Sequence, residues 1–226
     1  MRALSISCRC RDLGSSTALY LLDSDAARKI CQYRLLHELA GALGCALDDF
    51  AVLPQLKFQL CLAKANKALA KLGSQEAVDL ATQLIAAASE VVVVAESANP
   101  VLGLSRPDLD HGEVTLLAAL HGDADSSLVS GDKRAFVALS KVNGIPIVDA
   151  LWARLICLEE ALYLILQHAE FQGVSDKVRS APAVDTAVNN AFGRAGAKPI
   201  EDVIAGLQSY MRDLQATTSG KYILPV

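Results

Sequence analysis

The chain has 226 residues, of which 52% are apolar and 20% charged, and its net charge is −4. That length and apolar content exclude general disorder and allow one large domain with a buried core. The negative balance excludes a uniformly basic surface but not a local one, and aromatic residues at 5% leave few platforms for stacked bases.

Residues 1–16 read as irregular, with Arg2, Arg9 and Arg11 set among small residues. ALYLL (18–22) predicts a short buried strand that ends at Asp23-Ser24-Asp25. Ile30, Tyr33, Leu36, Leu39, Ala40 and Leu43 then fall at helical spacing, which predicts one helix from Ala26 to about Leu47. FAVLPQLKF (50–58) predicts a second strand that Pro54 interrupts or ends. Two helices are expected over 59–72 and 74–89, with Gly73 as the stop and Ser74 as an N-cap.

VVVVAES (91–97) has the strongest strand pattern of the chain, four consecutive β-branched residues of the fully buried kind. Asn99-Pro100 and Arg106-Pro107 mark a loop, after which Asp108 or Asp110 caps a helix running through Glu113 to about His121. SSLVS (126–130) is a fourth strand, and Asp132 opens the helix KRAFVALSKV, which Gly144 ends. IPIV (145–148) is a fifth strand candidate. From Ala150 the pattern predicts helix throughout: one long helix to about Gln167, then shorter ones around 183–195 and 199–216. Strands alternating with helices predict an α/β domain over 1–150, with a central parallel sheet flanked by helices. A C-terminal all-helical extension over 151–226 would pack on it. The long helix is apolar over a wide arc (Leu151, Leu155, Ile156, Leu158, Leu162, Ile165, Leu166), which predicts cover on more than one side and, with it, a homodimer.

Cys8, Cys10, Cys31, Cys45, Cys61 and Cys157 include no C-x-x-C pair, and the four histidines lack finger spacing, which argues against zinc. No stretch reaches the roughly 20 apolar residues of a membrane span, since Glu159 and Glu160 break LICLEEALYLIL. The N-terminus lacks the long apolar run and small-residue cleavage site of a secretion signal, so a cytoplasmic protein with reduced thiols is expected.

The acids carry the functional signal. Asp23, Asp110, Glu113 and Asp132 stand where strands give way to helices, the edge at which open α/β sheets build their sites. Carboxylates held close repel one another unless a cation lies between them, and an oxygen-only donor set suits magnesium or manganese. The plainer reading makes Asp23 and Asp132 N-caps and Asp110/Glu113 a capping box, a role that leaves Glu113 free to face a cleft. Asp25 reads equally as a ligand or as an acid matching the helix dipole. Lys133 and Arg134 read either as phosphate-binding groups at a helix start or as solvated charges.

LYLLDSD, DHGEVTLLAAL and SSLVSGDKRAFVAL resemble, in order and spacing, the acidic motifs of PIN-domain proteins, the VapC-like metal-dependent ribonucleases. The resemblance covers roughly 17–150 and implies a parallel sheet flanked by helices. It implies Asp23, Glu113 and Asp132 as catalytic and metal-binding acids assisted by Asp110, with magnesium or manganese as cofactor. It also implies an RNA substrate, an endoribonuclease activity and room for an antitoxin-like protein partner. The chain departs from the family at the glutamate expected about 35 residues after the first aspartate. Gln59 falls nearest to that place, and Glu38 is the candidate to supply the missing charge. Two alternatives stay open: a PIN-like interaction module of weak or no activity, and a metal-dependent phosphohydrolase on another doubly wound fold.

Overall fold

The computed structural model describes residues 18–91, 101, 108–142 and 144–225. Strand β1 (Tyr20–Leu22) leads into α1 (Ser24–Gln32) and α2 (Leu36–Leu43). The single helix expected over 26–47 is thus two, because Arg34 takes φ +59° and turns the chain between them. A short 3₁₀ turn precedes β2 (Phe50–Val52), which ends two residues before Pro54, as a proline in the run requires. Next come α3 (Leu56–Gln59) and α4 (Ala65–Leu72), separated at Cys61, whose φ of +58° breaks the helix expected over 59–72. Gly73 ends α4 at φ +86°, and the Ser74 hydroxyl accepts from Ala77 N–H at 3.1 Å to start α5 (Gln75–Ala87), as the sequence predicts.

Strand β3 is Ser89–Glu90, and the Val91 N–H continues it by donating to Val52 O at 2.9 Å. The rest of VVVVAES lies outside the described residues. Helix α6 (His111–Gly122), β4 (Ser127–Ser130) and α7 (Lys133–Ser140) follow the predicted order. IPIV is not a strand: Pro146 occupies the first turn of α8 (Pro146–Leu151), where its missing N–H costs nothing. The fifth strand is instead β5 (Leu155–Cys157), inside the segment expected to be one long helix from 150 to 167. Three consecutive buried apolar residues fit a helix and a two-sided buried strand equally, and pairing with β4 decides between them. Beyond it the chain is helical: α9 (Leu158–His168), α10 (Phe171–Arg179), α11 (Thr186–Phe192) and α12 (Ile200–Thr217).

The five strands are all parallel, in the order β3-β2-β1-β4-β5. Alternation along β1 sends Leu22 into one core and Leu21 into the other. The first core joins Leu22, Val52, Val129 and Ile156 to α1, α2, α5, α9 and α11; the second joins Leu21, Leu128 and Leu155 to α6, α7 and α8. Helix α12 serves both, with Val203 and Leu207 in the first and Met211 and Leu214 in the second. The wide apolar arc of α9 is therefore covered by α2 and α12 of the same chain, and it gives no ground for a second copy. Among the described residues no helix is long and apolar enough to cross a membrane.

Candidate functional site

Sheet order places the site. The chain runs outward from β1 through β2 to β3, then returns to pair β4 on the other side of β1. The connections after β1 and β4 therefore diverge to opposite faces, and a crevice opens at the carboxyl ends of these two strands. Asp23 follows the first and Asp132 the second.

Asp23 is buried and fully bonded. Its Oδ1 accepts from Ala26 N–H at 2.5 Å, capping α1, while Oδ2 accepts from Gly131 N–H at 3.1 Å and from the Ser130 hydroxyl. Burial pushes its pKa up to about 6 against these bonds, with Asp25 adding repulsion. Gly131 makes the contact sterically feasible: a Cβ there would lie 2.5 Å from Asp25 Oδ2 and 3.0 Å from Ala26 N, so the turn after β4 closes on α1 only without a side chain.

Asp110 and Glu113 form the reciprocal cap of α6, with Glu113 N–H donating to Asp110 Oδ1 at 2.8 Å and Asp110 N–H to Glu113 Oε2 at 2.7 Å. Glu113 is pushed up to about 7, first by burial and then by Asp110, Asp132 and Asp23, while the Asp110 N–H bond opposes the rise. Of these, Asp110 is the cap partner of Glu113 itself, and Asp132 and Asp23 add repulsion from the ends of β4 and β1. Asp132 caps α7 through Arg134 N–H at 2.8 Å and is gripped by the same residue's guanidinium, Nε to Oδ1 at 3.1 Å and Nη2 to Oδ2 at 2.6 Å. That hydrogen-bonded cation holds its pKa below the ordinary carboxylate value.

A cleft of about 690 Å³ opens between α6, α7 and α12, lined by Asp110, Glu113, Asp132, Lys133 and Arg134 with Asp213 on the opposite wall. Beneath it lies a hollow of about 20 Å³ bordered by Asp23, Glu113 and Ser130, room for about one water. Glu113 borders both, so it connects the buried Asp23 to the open cleft. Among the described residues, no three acid, histidine or cysteine side chains stand as a finished metal-ligand set.

The remaining candidates fall elsewhere. Glu38 bonds Lys177 Nζ at 2.5 Å on the α2–α10 side, outside the cleft lining. Gln59 is exposed at the end of α3, also outside that lining. Lys133 lines the cleft but is tied back, with Nζ 2.8 Å from the buried Glu159 and 4.9 Å from the Tyr210 ring centroid. The sequence reading missed this pair and a second one, Lys29 Nζ at 2.7 Å from both Asp25 and Asp185. The available signal was Glu159-Glu160 directly after an apolar triplet, where a pair of acids opens a helix just past a strand end.

Compared with known proteins, the chain matches no family model, no curated protein and no solved structure. The PIN resemblance thus rests on the three sequence motifs.

Proposed function

We propose that the chain is a nuclease dependent on magnesium or manganese, cleaving RNA at the acidic cleft. The observation that carries this reading is the position of Glu113, which lines the cleft with Asp110 and Asp132 and borders the hollow with Asp23, at the switch point of a parallel sheet. The all-parallel sheet agrees with the fold that the PIN resemblance implies.

The acids of the cleft suit a hard cation, because Asp110, Glu113 and Asp132 offer carboxylate oxygens on one lining and their mutual repulsion is the condition a divalent ion relieves. Glu113 and Asp132 would hold it, with Asp110 beside them and Asp23 beneath. When bound, such an ion supplies a water of lowered pKa and stabilises charge on the leaving oxygen. The protein's own part follows from the geometry. Glu113, raised to about 7 in the metal-free chain, would lose its proton when a cation binds, so metal uptake releases a proton near neutral pH. Arg134 neutralises Asp132 while the cleft is empty of substrate and reaches a phosphate when released. Lys133, anchored by Glu159, presents a fixed positive charge at the start of α7.

The test is cleavage of a mixed panel of RNA and single-stranded DNA with added manganese, using Asp132→Asn as the control, with manganese affinity measured by calorimetry on the same proteins. We expect RNA cleavage that falls at least ~100-fold in Asp132→Asn, together with weaker manganese binding. Manganese affinity unchanged in a folded Asp132→Asn protein would overturn the site. A second reading, a PIN-like interaction module without activity, is favoured by two features: Asp132 is already paired with Arg134, and no group of three acid, histidine or cysteine side chains that could hold a metal is present among the described residues. Failure of the wild-type chain to bind manganese or cleave any substrate selects that reading.

A further inference from the structure

Clustered carboxylates do not retain a polyanion by themselves, so a cleft of this kind needs a cationic surface close by. The chain, acidic as a whole, carries one. Between Phe50 and Gln75 there are four lysines and no acidic residue. Lys64 caps α4, and Lys67 and Lys71 follow at three- and four-residue steps, which sets all three on one face of the helix, spread over ~10 Å. All three are exposed, and among the described residues none has a carboxylate partner. Ala68 and Leu72, about a quarter-turn round α4 from the lysines, are buried, so one flank of the stripe is packed against the domain.

Phe58, six residues before Lys64 in the same acid-free segment, is 72% exposed, the most exposed large apolar side chain of the described residues. Lys57 Nζ lies 5.5 Å from its ring centroid and 3.0 Å from Glu90, an exposed ion pair that a competing phosphate readily displaces. An aromatic face among lysines is the arrangement by which single strands are held, with bases stacked and phosphates neutralised. An anionic membrane surface would want a broader apolar anchor than Phe58 and the 41% exposed Leu69 provide.

The start of this segment lies on the right edge of the sheet. Helix α3 follows β2, the neighbour of β1, so Phe58 sits beyond the same carboxyl edge as Asp23. The turn leading to it touches the first turn of α6: a Cβ on Gly112 would lie 3.1 Å from Leu53 and 3.6 Å from Gln55 Nε2. Glu113 is the next residue.

We propose that the α3–α4 surface, formed by Phe58, Lys57, Lys64, Lys67 and Lys71, is a docking face for single-stranded RNA that leads the strand to the acidic cleft. Only the last clause rests on the nuclease reading; binding itself does not.

The experiment is fluorescence anisotropy of the full chain with a labelled oligouridine in EDTA, over a series of salt concentrations. Replacing three lysines together, Lys64→Gln, Lys67→Gln and Lys71→Gln, should weaken binding at least ~10-fold and reduce the log–log salt slope by about 2. Phe58→Ala should weaken it at least ~5-fold with the slope unchanged. The same charge removed elsewhere, as Arg194→Gln, Lys198→Gln and Arg212→Gln, should change affinity less than ~2-fold. Equal losses in the two triple variants, or none in the first, overturn the proposal. So do anionic phospholipid vesicles that bind more tightly than the RNA and lose binding in the first triple variant. RNA binding with the expected losses but no cleavage in manganese leaves the docking face standing and removes the nuclease. Cleavage indifferent to all these changes does the reverse.

Discussion

Two carboxylates two residues apart at the start of α1 meet opposite conditions. Asp25 shares Lys29 with Asp185, a residue 160 positions later that caps α11, and the three charges form one half-buried cluster. Asp23 faces the other way, into the crevice, where hydroxyl and amide donors meet it but no cation does among the described residues. Burial pushes Asp185 up, yet the bond and charge of Lys29 together with the Val188 and Ala187 N–H bonds outweigh it and leave the carboxyl below its ordinary value. Asp23 and Glu113 lie well above theirs. One sheet edge thus carries both a structural solution for buried charge, in which cations quiet the acids, and an unresolved one, in which the acids are left to repel. The difference separates a clamp that ties α11 to α1 from a crevice in which Asp23 has no cation partner among the described residues.

The comparison breaks most visibly at Lys29. Lys29→Met leaves Asp25 and Asp185 without their shared cation, and removing one partner of a buried pair costs about 3–5 kcal/mol. Urea denaturation measures it; a loss below about 1 kcal/mol would mean the cluster is solvated and holds nothing. Gly131→Ala tests how closely the two sides approach. Its Cβ would have to move Asp25 Oδ2 from 2.5 Å and the Ala26 backbone from 3.0 Å, with an expected loss of about 1–3 kcal/mol. An unchanged thermal midpoint in that variant would show that the turn after β4 is looser than described.

The two sides also carry opposite pH signatures. Glu113 has a folded pKa of about 7 against an ordinary 4.5, so its contribution to stability is fully present below pH 4.5 and is lost as pH rises through 7. Asp185, whose folded value is lowered, contributes above its ordinary value of 3.8 and loses that contribution as pH falls through the folded value. Metal-free protein should therefore be most stable at about pH 4 and weaken toward pH 7.5. Glu113 accounts for about 1 kcal/mol of this after discounting for its half-exposure, and the buried Asp23, raised from 3.8 to about 6, adds to the decline with the same sign. Glu113→Gln should flatten that decline; denaturation series in which the variant follows the wild-type curve would remove Glu113 as its source. The smallest effect is expected at Glu38→Gln, because the Lys177 pair is partly exposed. We expect less than about 1 kcal/mol in stability and no change in RNA cleavage, and a large loss of cleavage would return Glu38 to the site.

Local pattern alone made much of this edge legible. Each of Asp23, Asp110 and Asp132 follows an apolar run or a loop and precedes a helical one, so its place at a helix start could be read from its neighbours, and the caps are where they were expected. Ser74 and Gly73 were readable for the same reason. Glu38 was misplaced because helical spacing gives a face and not the direction that face points. The split of one expected helix at Arg34, and of another at Cys61, left no glycine or proline to announce it. Those turns are non-glycine residues at positive φ, and such conformations persist only when surrounding packing fixes them.

The sequence by itself determined the α/β alternation, the helix caps and the set of acids at strand ends, because these follow from the local periodicity of apolar residues and from hydrogen bonds within three or four positions. Only the tertiary structure decided that Leu155-Ile156-Cys157 is a strand, that Lys29 belongs to Asp185 and Lys133 to Glu159, and that Asp110, Asp132 and Asp23 act together on Glu113. Each of those facts depends on which segments lie side by side in the sheet. Strand order is set by burying two cores at once, a condition on the whole chain that no window of neighbouring residues contains.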